Sequence, residues 1–100
     1  MSTIRIIATK VIRRFKFGTD KIKIGIVTKT DRWERTEVDT GVDDQFVEAA
    51  KKNISQFPSG IDGVYMKETP RPDRKDNRTH FTALALNRKK EVLDSLHFRI

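Results

Sequence analysis

Between Lys21 and Thr30 the chain alternates Ile22, Ile24 and Ile26 with Lys21, Lys23, Gly25, Val27 and Lys29. A period of two places the isoleucines on one side of an extended chain and the lysines on the other, the pattern of a half-buried β-strand. This constrains the fold more than any other stretch, because a one-residue slip would turn the lysines inward, where unpaired charge is costly. Upstream, Gly18-Thr19-Asp20 is a turn signal. Before it, Thr3 to Phe17 is rich in β-branched residues (Thr3, Ile4, Ile6, Ile7, Thr9, Val11, Ile12) and reads as a strand, bulged where the alternation slips near Ala8.

The two segments are expected to pair as a hairpin. A four-residue loop over 18–21 would set Phe17 opposite Ile22 and Phe15 opposite Ile24, with Arg13 an awkward neighbour on that buried face. The opposite face would then collect Lys10, Ile12, Arg14, Lys16, Lys23, Gly25, Val27 and Lys29.

Downstream, Thr30-Asp31-Arg32 is a turn and Trp33 to Thr40 reads as a third strand. Phe46, Val47, Ala50, Ile54 and Phe57 recur at helical spacing, which predicts an amphipathic helix over 43–57, capped by Thr40 or Asp43 and stopped by Pro58 and Gly60. Asp43, Asp44 and Glu48 near its start and Lys51 and Lys52 near its end suit the helix dipole. Val64 to Lys67 and His80 to Leu86 read as strands, separated by a stretch over 68–79 without a large apolar side chain. Asn87 to Lys90 is a polar turn. For 91–96 two readings stand, a strand or a short helix before a strand, because Leu96, Phe98 and Ile100 alternate while Val92, Leu93 and Leu96 fit helical spacing.

The pattern is β-β-β-α-β-β-β, an α+β fold with an antiparallel sheet of five or six strands and one helix packed on a face. At 100 residues the chain is expected to be one domain, 1–100, with one modest core. That core should hold Phe15, Phe17, Ile22, Ile24, Ile26, Phe46, Ala50, Ile54, Phe57, Leu84 and Leu86. Apolar residues are 36% and charged residues 35%. With so little apolar material an open edge strand could be completed by a second copy, which makes a homodimer an expectation.

The same composition narrows function. Without cysteine there is no disulfide framework and no thiol chemistry. No apolar run approaches the ~20 residues of a membrane span, and no leader pattern opens the chain, so a cytoplasmic, intracellular location is expected. His80 and His97 lack the convergent partners of a metal site. Asp43, Asp44 and Glu48 read as a helix start, not an acid–base pair. No Gly-rich phosphate loop or nucleophile motif is present. The reading is therefore non-catalytic, with no cofactor and no metal.

Charge layout supplies the positive indication. Lys and Arg number 21 against 14 Asp and Glu, a net charge of +7. Residues 1–30 carry eight basic groups and a single acid, Asp20, whereas 31–48 are acidic. Cations spaced along a ribbon suit a polyanion, whose counterions they release. The candidate contacts are Lys10, Arg14, Lys16, Lys21, Lys23 and Lys29 on the hairpin, and Arg71, Arg74, Lys75 and Arg78 in the proline-bearing basic loop. A solvated strand face with edge-blunting lysines explains the hairpin charges equally simply. The expected function is nucleic-acid binding with low sequence specificity. The alternative is a small protein-binding regulator or inhibitor, such as a phage or mobile-element accessory protein, that docks on a macromolecular complex through its charged faces.

Overall fold

The computed structural model describes residues 4–32, 34, 40–68 and 80–99, with backbone alone at 40–43, 68, 80, 98 and 99. Strand β1 (Ile6–Phe17), β2 (Asp20–Thr30), helix α1 (Thr40–Asn53), β3 (Gly63–Glu68), β4 (His80–Leu86) and β5 (Val92–Arg99) follow in chain order. The strands form a five-stranded sheet in the order β1-β2-β3-β4-β5. The α+β class is as expected, but the sheet is mixed: β2 and β3 run parallel, and the other neighbours are antiparallel.

The parallel pair follows from where the helix lies. It sits between two strands that are neighbours in the sheet, so the chain leaves at the end of β2, crosses one face and re-enters at the opposite end, beside the start of β2. The element order expected from the sequence had a third strand before the helix. Of that stretch, Thr40 is already the first helical residue and Glu34 forms an isolated bridge with Lys29; 33 and 35–39 lie outside the described residues. The helix begins three residues earlier than expected and passes at Ile54–Gln56 into a turn of 3₁₀ helix. Phe57 is extended (φ −89°, ψ 154°), as a residue before proline favours. Segment 92–99 is strand throughout, which resolves the two readings there.

The hairpin is tighter than expected. Phe17 lies opposite Asp20, Lys16 opposite Lys21 and Phe15 opposite Ile22, so the loop is only Gly18-Thr19. Gly18 has φ +64°, and Thr19 does not share the positive φ, which is the φ signature of a II′ hairpin turn. Phe17 consequently sits at the hairpin's end and is 45% exposed, not a core residue. β1 slips register around Ala8, as its alternation suggested, and again between Val11 and Arg13.

The sheet is buried on both faces at its centre. On the helix side, Ile22, Ile24, Ile26, Val64, Met66, Phe81, Ala83 and Ala85 meet Phe46, Val47, Ala50, Ile54 and Phe57, with Ile12 and Phe15 packed against them. On the other side Ile6, Val27, Tyr65, Leu84 and Leu86 form a second cluster. Ile6 starts an edge strand yet packs with Leu84 and Leu86 of β4. The bulged, strongly twisted start of β1 thus curls across this face and covers part of it. No helix among the described residues is long and apolar enough to cross a membrane.

Candidate nucleic-acid interface

Cross-strand neighbours share a face, so the register sorts the hairpin's cations. Arg14 pairs with Lys23 and Lys16 with Lys21, side by side on the face opposite the helix. Like charges directly opposite each other destabilise a sheet. Lys23 is relieved by a 3.4 Å ion pair with Asp62, while Arg14, Lys16 and Lys21 are exposed and form no ion pair among the described residues. Four of the six expected hairpin contacts therefore converge.

Lys10 and Lys29 do not join them. The slip between Val11 and Arg13 reverses the side-chain alternation, so Lys10 lies opposite Ile26, whose side chain faces the helix. Ile12, expected beside the lysines, likewise packs into the helix-side core. Lys29 keeps the parity of Lys23 but lies six residues further along, roughly 20 Å at strand rise, where its backbone forms an isolated antiparallel β-bridge with that of Glu34. Val27, also expected on the outer surface, is fully buried beneath the curl of β1. Arg71, Arg74, Lys75 and Arg78 lie outside the described residues.

Beneath the cations lies Tyr65, only 4% exposed. Its ring spans Gly25 of β2 and Gly63 at the start of β3. A Cβ at Gly25 would stand 2.9 Å from the ring and overlap the Lys10 carbonyl oxygen; one at Gly63 would stand 2.8 Å from the ring and 2.7 Å from the Lys23 carbonyl oxygen. Both positions lack a side chain so that the ring can lie flat against the backbone. Burial pushes the Tyr65 phenol above its usual pKa and the Asp62 carboxylate adds to this, while a hydrogen bond with the Thr9 side chain and the Arg14 guanidinium oppose it. The neutral phenol joins β1, β2 and β3 under the charged surface.

A second basic element stands at the same end of the sheet. The β4–β5 turn carries Arg88, Lys89 and Lys90 in succession, all exposed. Lys23 is in register with Gly63 and Gly63 with Leu86, so the turn starts two strand spacings from Lys23, about 10 Å. Its shape is fixed by Asn87: the side-chain Oδ1 accepts from the backbone N–H of Lys89 (2.9 Å) and Glu91 (3.0 Å), and its carbonyl accepts from the Lys90 N–H (3.0 Å). Lys90 has φ +63°, the left-handed position after a turn that glycine ordinarily fills. Keeping a lysine there costs about 1 kcal/mol. The sequence signal was three adjacent cations, Arg88-Lys89-Lys90, in the polar turn.

The acids of the helix lie elsewhere. Asp44 and Glu48 are exposed on α1, where Asp44 meets Arg13 at 3.6 Å. His97 is exposed on β5, opposite Thr82. Among the described residues no three His, Asp or Glu side chains come together as a metal site. No protein-family model matches this chain, and neither a curated protein nor a solved structure matches it.

Proposed function

We propose that the protein is a non-catalytic nucleic-acid-binding protein that contacts phosphates through the face formed by Arg14, Lys16, Lys21 and Lys23, with low sequence specificity. The observation that carries this reading is the pair of like-charge cross-strand neighbours, Arg14–Lys23 and Lys16–Lys21, on one face. Edge protection accounts for Arg14 and Lys16 on the edge strand β1 but not for the cations directly opposite them on the inner strand β2, where an acid would be equally soluble and more stable. A polyanion relieves the repulsion, and its released counterions drive association. Charged side chains placed over a buried Tyr65 act as phosphate contacts, not as stacking platforms, which favours recognition of the backbone over recognition of bases.

The test is fluorescence anisotropy of labelled DNA and RNA oligonucleotides, single- and double-stranded, at two salt concentrations. The affinity is expected to fall steeply with salt. Arg14→Gln/Lys16→Gln/Lys21→Gln is expected to lose at least about tenfold, with the log–log salt slope reduced by about 2–3. Undiminished affinity in that variant would remove this face from the interface. Absence of binding by the parent protein at low salt would instead favour the protein-docking reading.

A further inference from the structure

The start of β1 and the β4–β5 turn face each other across a cleft of about 670 Å³. Its walls differ in character. Ile4, Ile6 and Val92 supply aliphatic surface, and Arg5, Lys89 and Lys90 supply positive charge. Glu91 is the acid among the lining residues, and its carboxylate accepts a hydrogen bond from the Asn87 side chain at 3.3 Å. The cations have no ion pair among the described residues. Asp31, the acid nearest Arg5 in the hydrogen-bond pattern, engages its backbone: Asp31 Oδ1 accepts from the Arg5 N–H at 3.2 Å, and the Arg5 carbonyl accepts from the Asp31 N–H at 3.0 Å. Val92 of the cleft wall is 45% exposed, and Ile7 and Leu93, next in sequence to lining residues, are 44% and 46% exposed.

We propose that this cleft is a subsite for one unpaired nucleotide of a single strand, an inference that rests on the nucleic-acid reading above. The aliphatic walls take the flat apolar face of a base, and Arg5, Lys89 and Lys90 take its phosphate. A duplex fits poorly, since its bases are stacked and paired and it offers the cleft nothing apolar. A simple anion would leave the aliphatic walls uncovered, and a purely apolar ligand would leave three cations unanswered. The left-handed Lys90 fits the same account. The turn holds a lysine where glycine is conformationally easier because the charge is used there. From the cleft, the cations of the hairpin lie further along the same end of the sheet, so a strand seated in the cleft can continue onto them.

Three probes of equal length test this against the parent protein: a single strand of about 12 nucleotides, the same strand with abasic sites throughout, and its duplex. The single strand is expected to bind about tenfold or more tighter than either of the others. In Lys89→Gln/Lys90→Gly that preference should collapse and the salt slope for the single strand should fall by about 1.4. Because glycine suits position 90, this variant should melt no lower than the parent, so the loss reports contact and not unfolding. Equal affinity for the abasic strand or the duplex overturns the subsite, as does wild-type affinity in the variant. In both cases binding through the hairpin face would persist. If the parent binds none of the probes, the nucleic-acid reading fails and the subsite with it.

Discussion

The two faces of this sheet are built on different rules. On the helix side, every strand from β2 to β4 contributes aliphatic or aromatic side chains that meet the apolar stripe of α1, and the charged Arg13 reaches out to Asp44. On the other side the core is a small cluster centred on Tyr65, two glycines replace side chains, and cations face one another across the hairpin. The first face is arranged for stability, since neutral shape complementarity adds at every contact. The second keeps arrangements that cost stability: like-charge pairs and a left-handed lysine. Where one molecule follows the rules on one side and departs from them on the other, the departures mark the side that meets a partner.

The two faces should differ most in their response to a substitution at Gly25. On an ordinary strand, alanine for glycine stabilises by about 0.4–1 kcal/mol through the unfolded chain. At Gly25 the sign should reverse, because the Cβ meets the Tyr65 ring and the backbone of β1. Gly25→Ala is expected to destabilise by about 2–3 kcal/mol, read from urea denaturation. A neutral or stabilising result would mean that the Tyr65 face is not packed as described.

A smaller effect sharpens the role of the phenol. Tyr65→Phe removes the hydrogen bond with Thr9 and should cost about 1 kcal/mol at neutral pH. Its pH dependence is the more specific readout. The folded-state pKa is raised from 10.0, so above pH 10 the unfolded chain releases this proton more readily than the folded one. Stability is therefore full below that pH and falls as pH rises through it. In Tyr65→Phe this part of the alkaline loss should vanish, and the two stability curves should converge as pH rises. Parallel curves would place the phenol in contact with water.

Much of the fold was legible in the sequence, and the places where it was not have definite physical causes. The Ile22-Ile24-Ile26 alternation, the bulge near Ala8 and the helix stripe of Phe46, Val47, Ala50 and Ile54 all appear where the pattern put them. The hairpin register was off by two residues, and a period of two cannot detect such an error, because both registers place the same side chains inside. The second bulge, between Val11 and Arg13, did change parity, and it moved Lys10 and Ile12 to the helix side. Tyr65 was missed because β3 reads Val64-Tyr65-Met66 without alternation, as a strand buried on both faces does. The parallel pairing of β2 and β3 depends on where the helix falls between strands, which the expected third strand obscured. The turn at 88–90 was read as merely polar; its left-handed Lys90 is a backbone property that composition does not carry.

The hairpin face holds charge at a cost in stability, and the smallest expected effect reads that cost directly. The urea midpoint of Arg14→Gln/Lys16→Gln/Lys21→Gln at low salt measures that cost with no ligand present. Relief of two like-charge cross-strand pairs predicts a gain of about 0.5–1 kcal/mol over the parent, shrinking as added salt screens the repulsion. A midpoint that falls, or one that rises equally at all salt concentrations, would contradict the account.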